Sequence, residues 1–240
     1  MPFTFSHPAI VLPLTYLPKR FYSLTGLIIG SLTPDFEYFI RMKVQSDYSH
    51  TLAGLLWFDL PLSFLLAIIY HNLMRDCLIN NLPNVLKSRL SVYKTFDWNN
   101  ALKNRFFKIL ISLLIGSASH LLWDSFTHRT GFIVQTFPSL ISEINIGTIH
   151  IPIFKILQHL SSIIGGLAII IAFWKLPLNK FTTNNNNFKF WIITFCITVL
   201  IFLIRFSNGI DYKLFGNLIV TFISATILAL FTTTIIMRNK

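Results

Sequence analysis

FFKILISLLIGSASHLLWDSFTH, residues 106–128, is the stretch that decides how this chain folds. Phe106 to Trp123 is an apolar run long enough to cross most of a bilayer as a helix. It ends in His120, Asp124 and His128, spaced i, i+4, i+8. A continuing helix puts all three on one stripe, drifting only about 40° per step. Ionisable side chains at membrane depth are costly and mark function by default. Neutral imidazole and carboxylate at this spacing can hold one divalent cation or bridge two. The competing reading is a helix end whose His and Asp simply face water.

Composition extends the membrane assignment to the whole chain. Of 240 residues, 53% are hydrophobic and 12% charged, and the mean hydropathy is +0.63. A soluble domain of this size could not cover so much apolar surface with so few charges. The net charge of +11 does not point to nucleic acid, because the basic residues sit between apolar runs instead of forming one dense face. Anionic headgroups and the positive-inside tendency account for them. Cys77 and Cys196 fall in a basic loop and an apolar run, so neither a disulfide nor a thiolate metal site is expected. No Lys or Arg precedes Lys19 and no clean apolar segment leads to a cleavage site, so no removable signal peptide is expected.

The remaining elements follow from apolar runs and their breakers. Pro8, Pro13 and Pro18 argue against one long regular helix at the start. Phe21 to Ile29 is apolar but too short to span. It predicts a short re-entrant or interfacial helix whose far end displays Asp35 and Glu37, with Pro34 biasing Thr33 away from the α region. Spans are predicted over Leu52–Met74, Phe106–Trp123, Ile153–Trp174, Phe190–Phe206 and Leu214–Met237, with loops over Arg75–Arg105 and Ser125–Pro152. Asn184 to Asn187 reads as a flexible connector. The expected fold is therefore an all-α integral membrane protein of about five transmembrane helices plus an N-terminal short or re-entrant helix. Residues 1–178 form the membrane-embedded domain and residues 179–240 a C-terminal transmembrane hairpin without His or acidic residues in its spans. The 75–105 loop, the 175–189 loop and the tail carry eleven Lys and Arg against eight on the other side. That places the first set in the cytoplasm.

An up-down arrangement of these spans gathers the ionisable residues at one membrane face. His50 precedes the first span, His120 to His128 end the second and His159 begins the third, with His7, Asp35 and Glu37 upstream. His71 falls at the opposite end of its span and is excluded. Asp59 lies about 13 Å along the helix from His50, too far for a co-ligand. Each histidine taken singly is more often structural than a ligand. These histidines and carboxylates converging together predict a metal site at that face.

Ser6-His7-Pro8, Gly30-Ser31 with Pro34-Asp35, Ser49-His50-Thr51, Gly116 to His120 with Trp123-Asp124 and Thr127-His128, then Pro152 and Gln158-His159 with Ser161-Ser162 and Gly165 together resemble a family of uncharacterised bacterial membrane proteins. The resemblance covers nearly the whole chain. That family is similar in turn to inner-membrane metal-dependent hydrolases. More distantly, the order His, Asp, His, then His-x-x-x-Asp resembles zinc-dependent phospholipase C and nuclease P1. The resemblance implies His7, Asp35, His50, His120 and Asp124 as metal ligands, with His128 and His159 as further candidates. In the soluble enzymes a carboxylate follows the later histidine by four residues, whereas position 163 here is Ile. One or two metal ions are expected rather than a complete three-metal cluster. A phosphoesterase reaction is likewise implied by the resemblance alone.

The leading expectation is a membrane-bound hydrolase using a divalent metal ion, zinc first, since the ligands are N and O only; Mn²⁺ and Fe²⁺ suit such ligands too. Asp35 or Glu37 would accept the proton or bridge metals, and Arg129 would attract an anionic leaving group. A site at headgroup level in the cytoplasmic (inner) membrane, on the extracytoplasmic face, suits a phospholipid or isoprenoid phosphate. The alternatives are a non-enzymatic protein with a structural metal or lipid-headgroup site, and a small transporter. Against transport, the polar residues gather at one face and do not line a midplane path.

Overall fold

Pro8 and Pro13 remove two backbone donors from the start of the chain, and residues Thr4–Tyr16 wind there as a 3-10 helix. The computed structural model describes residues 3–179, 188–209 and 214–238. A 3-10 run of this length is uncommon, and this strap is held from outside. Ser6 Oγ donates to Ser162 O at 2.8 Å, and Phe3 N donates to Ser162 Oγ at 3.0 Å.

The short apolar helix forms over Leu24–Leu32, with Ser23 at its N-cap accepting from Gly26 N. One local expectation fails here. Thr33 is helical, at φ −62° and ψ −38°, because a 3-10 turn over Thr33–Asp35 carries the chain through Pro34 into Phe36–Arg41.

Among the described residues, five helices are long and apolar enough to cross a membrane. They run over Leu55–Asn81, Trp98–Thr136, Ile153–Trp174, Phe188–Ser207 and Phe215–Arg238, the second made of the long helix Trp98–Thr127 and, after a turn, the short helix Phe132–Thr136. The first contains two wide turns of π type, Leu55–Asp59 and Tyr70–Met74. Leu60 N reaches back to Leu55 O, just ahead of Pro61, which has no N–H to continue an α ladder. Asp59, in that turn, is fully buried.

The predicted loop over Arg75–Arg105 is largely helical, with Arg75–Asn81 continuing the first span and Asn84–Leu90 following Pro83. Its charges suggested solvent, but protein carbonyls take several of them. Lys87 Nζ donates to Asn80 O at 2.9 Å and Lys94 Nζ to Asn80 Oδ1 at 2.7 Å. The second span begins earlier than predicted, within the helix Trp98–Thr127, whose one non-helical residue is Arg105. The predicted loop over Ser125–Pro152 holds a short helix, Phe132–Thr136, and an antiparallel hairpin, β1 Glu143–Ile146 with β2 Ile149–Pro152. The run Asn184 to Asn187 lies outside the described residues.

The chain packs into two compact units. Met1–Asp35, Tyr48–Phe64 and Arg105–Lys175 form the first; Phe36–Asp47, Leu65–Asn104 and Leu176–Lys240 form the second. In the second, the last two helices pack through small buried residues, Ala225 and Ala229 among them, and Thr194 Oγ1 donates to Thr233 Oγ1 at 3.1 Å. Within the same unit, Asn217 Oδ1 accepts from Val44 N, and Trp191 Nε1 donates to Asn81 O.

Candidate metal centre

Small residues bring two backbones of the first unit together, and that contact aims the central histidine. Gly26 and Gly30 on Leu24–Leu32 face Ser112 and Gly116 on the long helix, two small residues four apart on each side. A Cβ on Gly30 would lie 2.2 Å from Leu113 O, and one on Gly116 would lie 2.5 Å from Leu27 O. Only glycine permits that approach. Ser23 N then donates to Ser112 Oγ at 2.8 Å, Ser117 Oγ donates to Gly30 O at 3.1 Å, and His120 Nδ1 meets Ser31 O at 2.7 Å.

A carbonyl can only accept, so Nδ1 of His120 carries the proton and a neutral ring leaves its Nε2 lone pair bare. That Nε2 lies 3.6 Å from Asp35 Oδ1 and 3.5 Å from Asp124 Oδ2. Nε2 of His50 lies 3.5 Å from each of the same two oxygens, and its Nδ1 is 2.9 Å from Ser49 Oγ. Thr4 Oγ1 donates to Asp35 Oδ2 at 2.5 Å, which turns Oδ1 toward the two histidines. On the other edge of Asp124, Oδ1 lies 3.7 Å from His7 Nε2 and 3.5 Å from His128 Nδ1. The His7 ring stacks on His120, with centroids 3.6 Å apart and planes 13° apart.

These distances are longer than hydrogen bonds and compatible with a cation between the groups. N–H···O bonds lie near 2.7–3.2 Å, shorter than any of these His–Asp separations. A first-row ion binds imidazole and carboxylate at about 2.0–2.2 Å, which sets neighbouring ligands of a tetrahedron roughly 3.3–3.5 Å apart. The His–Asp separations of His50 and His120 to Asp35 and Asp124, 3.5–3.6 Å, lie close to that spacing. His120 is 0% exposed, His7 and Asp35 1% each, and Asp124 7%. Both ring nitrogens of His7, Asp35 Oδ1, His120 Nε2 and Asp124 Oδ1 are buried without a hydrogen-bond partner. Each such atom costs about 1–3 kcal/mol when nothing satisfies it. Two groups, His7 with Asp35 and His120, and His50 with His120 and Asp124, bring one potential ligand atom from each residue within 4.8 Å of one another. The buried His and Asp groups of this unit could therefore hold a metal ion.

Protonation states outside the spans agree with a ligand role. Burial, reinforced by His120, holds His7 down at about 3, so its ring is neutral. Burial alone would raise Asp35, but the histidines beside it, His120 first, hold its carboxyl well below the usual range.

Not every predicted site residue joins the cluster. His128 reaches it from the rim, with 26% of its side chain exposed and Nδ1 also 3.2 Å from Asp124 O. His159 is exposed and lies in neither ligand group. Its helix contributes Ser161 and Ser162 instead: Ser162 anchors the strap, and Ser161 Oγ accepts from Trp123 Nε1 at 3.1 Å. Glu37, in the second unit, shapes the loop that follows it. It takes Arg41 Nη2 at 2.8 Å, Asp47 N at 2.9 Å and Ser46 Oγ at 3.3 Å. Thr4, Ser31 and Ser162, which orient the inner residues, were not singled out from the sequence as site residues. Ser31 and Ser162 stand within the motifs quoted above, without a role of their own there, and Thr4 lies two residues before Ser6-His7-Pro8.

Fold and site together define an all-helical protein with five membrane-length helices and a buried His/Asp cluster able to take a cation. A family model described as "Domain of unknown function (DUF4184)" matches residues 1–235, and the chain belongs to that family. No curated protein and no solved structure matches it. The family is thus established, while the resemblance to inner-membrane hydrolases, phospholipase C and nuclease P1, and a bacterial origin, gain no support from these comparisons.

Proposed function

We propose that this protein is an integral membrane, metal-dependent hydrolase of phosphate esters. The observation that supports the metal is the convergence of imidazole nitrogens and carboxylate oxygens of His50, His120, Asp35 and Asp124, with His–Asp separations of 3.5–3.6 Å. His50, His120, Asp35 and Asp124 Oδ2 would hold one ion, and Asp124 Oδ1 with His7 and His128 offers a place for a second. Zinc suits this N/O donor set. Bound there, the ion supplies Lewis acidity and acidifies water to a pKa near about 7.

The chain's own residues then divide the work. Ser31 O, Ser49 and Thr4 fix the ligand orientations, the arrangement that keeps such sites rigid. His128 stands at the rim with 26% of its side chain exposed, on the edge of Asp124 that it shares with His7. Exposed Arg129, next in the chain, attracts the anionic group of the substrate. A site at headgroup level, on the extracytoplasmic side of the cytoplasmic membrane, would suit a phospholipid or isoprenoid phosphate.

The test is metal content and hydrolysis of detergent-purified protein, with phosphatidic acid, an isoprenoid phosphate and a phospholipid as substrates and EDTA as control. The expected result is EDTA-sensitive release of phosphate or headgroup. A metal-loaded wild type that turns over none of the three discards the hydrolase and leaves a structural ion.

A further inference from the structure

The hairpin between the second and third spans has two unlike faces. Its register pairs Ile144 with Ile151, Asn145 with His150 and Ile146 with Ile149. Side chains alternate along a strand, so Ile144, Ile149 and Ile151 share one face while Asn145 and His150 share the other. The polar face is closed by a contact of 2.5 Å between Asn145 Oδ1 and His150 Nδ1. On the apolar face Ile144 is 45% and Ile149 59% exposed. Just upstream, Phe132 is 78% and Phe137 57% exposed. A two-stranded ribbon with one apolar face needs something to cover that face.

Placement says what covers it. The segment leaves the end of the helix carrying His120 and Asp124 and re-enters the chain's third membrane-length helix at Ile153. Ile153 N donates to Ser142 O at 3.0 Å, which locks the open end of the hairpin to that helix start. Strands of four residues at about 3.3 Å each keep the tip within about 13 Å of the anchor. Between Arg129 and Lys155 the sequence holds one charged residue, Glu143. A segment this neutral and aromatic, tied at both ends to membrane helices, is poorly suited to water and well suited to the headgroup layer.

We propose that Phe132–Pro152 is an interfacial flap whose isoleucine face and two phenylalanines rest in the lipid headgroup–acyl boundary, with Asn145 and His150 turned to water. Its occupant is the bilayer itself. The flap lies directly after His128 in the chain, so lipid would be held beside the rim of the cluster whether or not the cluster is catalytic.

The experiment labels single cysteines with an environment-sensitive fluorophore in full-length protein carrying Cys77→Ser and Cys196→Ser. Ile149→Cys is compared with His150→Cys, and Ile144→Cys with Asn145→Cys, in phosphatidylcholine–phosphatidylglycerol vesicles. Lipid-borne doxyl groups should quench the 144 and 149 labels several-fold more than the 145 and 150 labels, and aqueous iodide should do the reverse. Equal quenching at adjacent positions, whether from a solvated or an unfolded hairpin, overturns the proposal. Protection of 144 and 149 that vanishes as protein is diluted in lipid marks a second copy as the occupant and also overturns it.

Discussion

His120 in the first unit and His71 in the second are both buried in long helices, and their surroundings set a fully partnered imidazole against a candidate ligand. His71 stacks on Trp98, with centroids 4.5 Å apart and planes 6° apart, and its Nδ1 lies 3.3 Å from Arg75 Nη1. Arg75 in turn donates to Phe96 O at 2.6 Å and pairs with Asp76 at 2.8 Å. Each charge in that set is answered by a neighbour. His120 donates from Nδ1 to Ser31 O, but its Nε2 faces two carboxylates at distances too long for hydrogen bonds. A buried polar group with its partners in place builds structure. Several that are left over and aimed at one point build a site.

The sharpest way to break the contrast is to delete one member of each set. His120→Ala and Asp124→Ala are expected to remove essentially all bound metal, measured by elemental analysis, together with any hydrolysis. His71→Ala is expected to leave metal content unchanged and to lower stability by about 2–4 kcal/mol, the usual cost of emptying a packed aromatic site. Equal metal loss in both would end the distinction.

Next in size is the hydroxyl behind Asp35. Thr4→Val keeps the shape and removes the donor to Oδ2. Metal affinity should fall about 10–100-fold by competition with a chelator, the range for losing a supporting contact of this kind. Unchanged affinity would mean that Asp35 needs no orientation from the strap.

Much of this was readable before any coordinates. Apolar runs located the five spans, and alternating direction gathered His7, Asp35, His50, His120 and Asp124 at one face. The supporting atoms were hidden for a physical reason. Ser31 acts through its backbone carbonyl, which every residue possesses, and Thr4 acts across the 3-10 strap. His159 could have been placed better from helical phase. Gln158, Ser161, Ser162 and Gly165 repeat at i, i+3, i+4 and i+7 and form the small polar stripe that packs inward. His159 lies about 100° around from Gln158, and it points outward with Leu160 and Ile163. The basic run after Arg75 looked like a loop because carbonyl partners for Lys87 and Lys94 depend on folding.

Glu37 tests the boundary of the site with a smaller effect. With Arg41 and Asp47 N as partners, Glu37→Gln should cost about 1–3 kcal/mol of stability. Metal content should stay at the wild-type value. A fall in turnover at constant stability would instead return Glu37 to the role of proton acceptor. The smallest effect is expected at His159, where replacement by Ala should change neither metal content nor melting temperature beyond experimental error. Loss of one metal equivalent there would show that the helix Ile153–Trp174 supplies a ligand.

Zinc K-edge X-ray absorption on detergent-purified, zinc-loaded protein tests the central claim most directly. The account predicts a low-coordinate shell of N and O donors at about 2.0–2.1 Å, with the outer-shell scattering of imidazole, and its disappearance in His120→Ala. A wild type that retains no zinc, or an oxygen-only shell that is unchanged in His120→Ala, would contradict it.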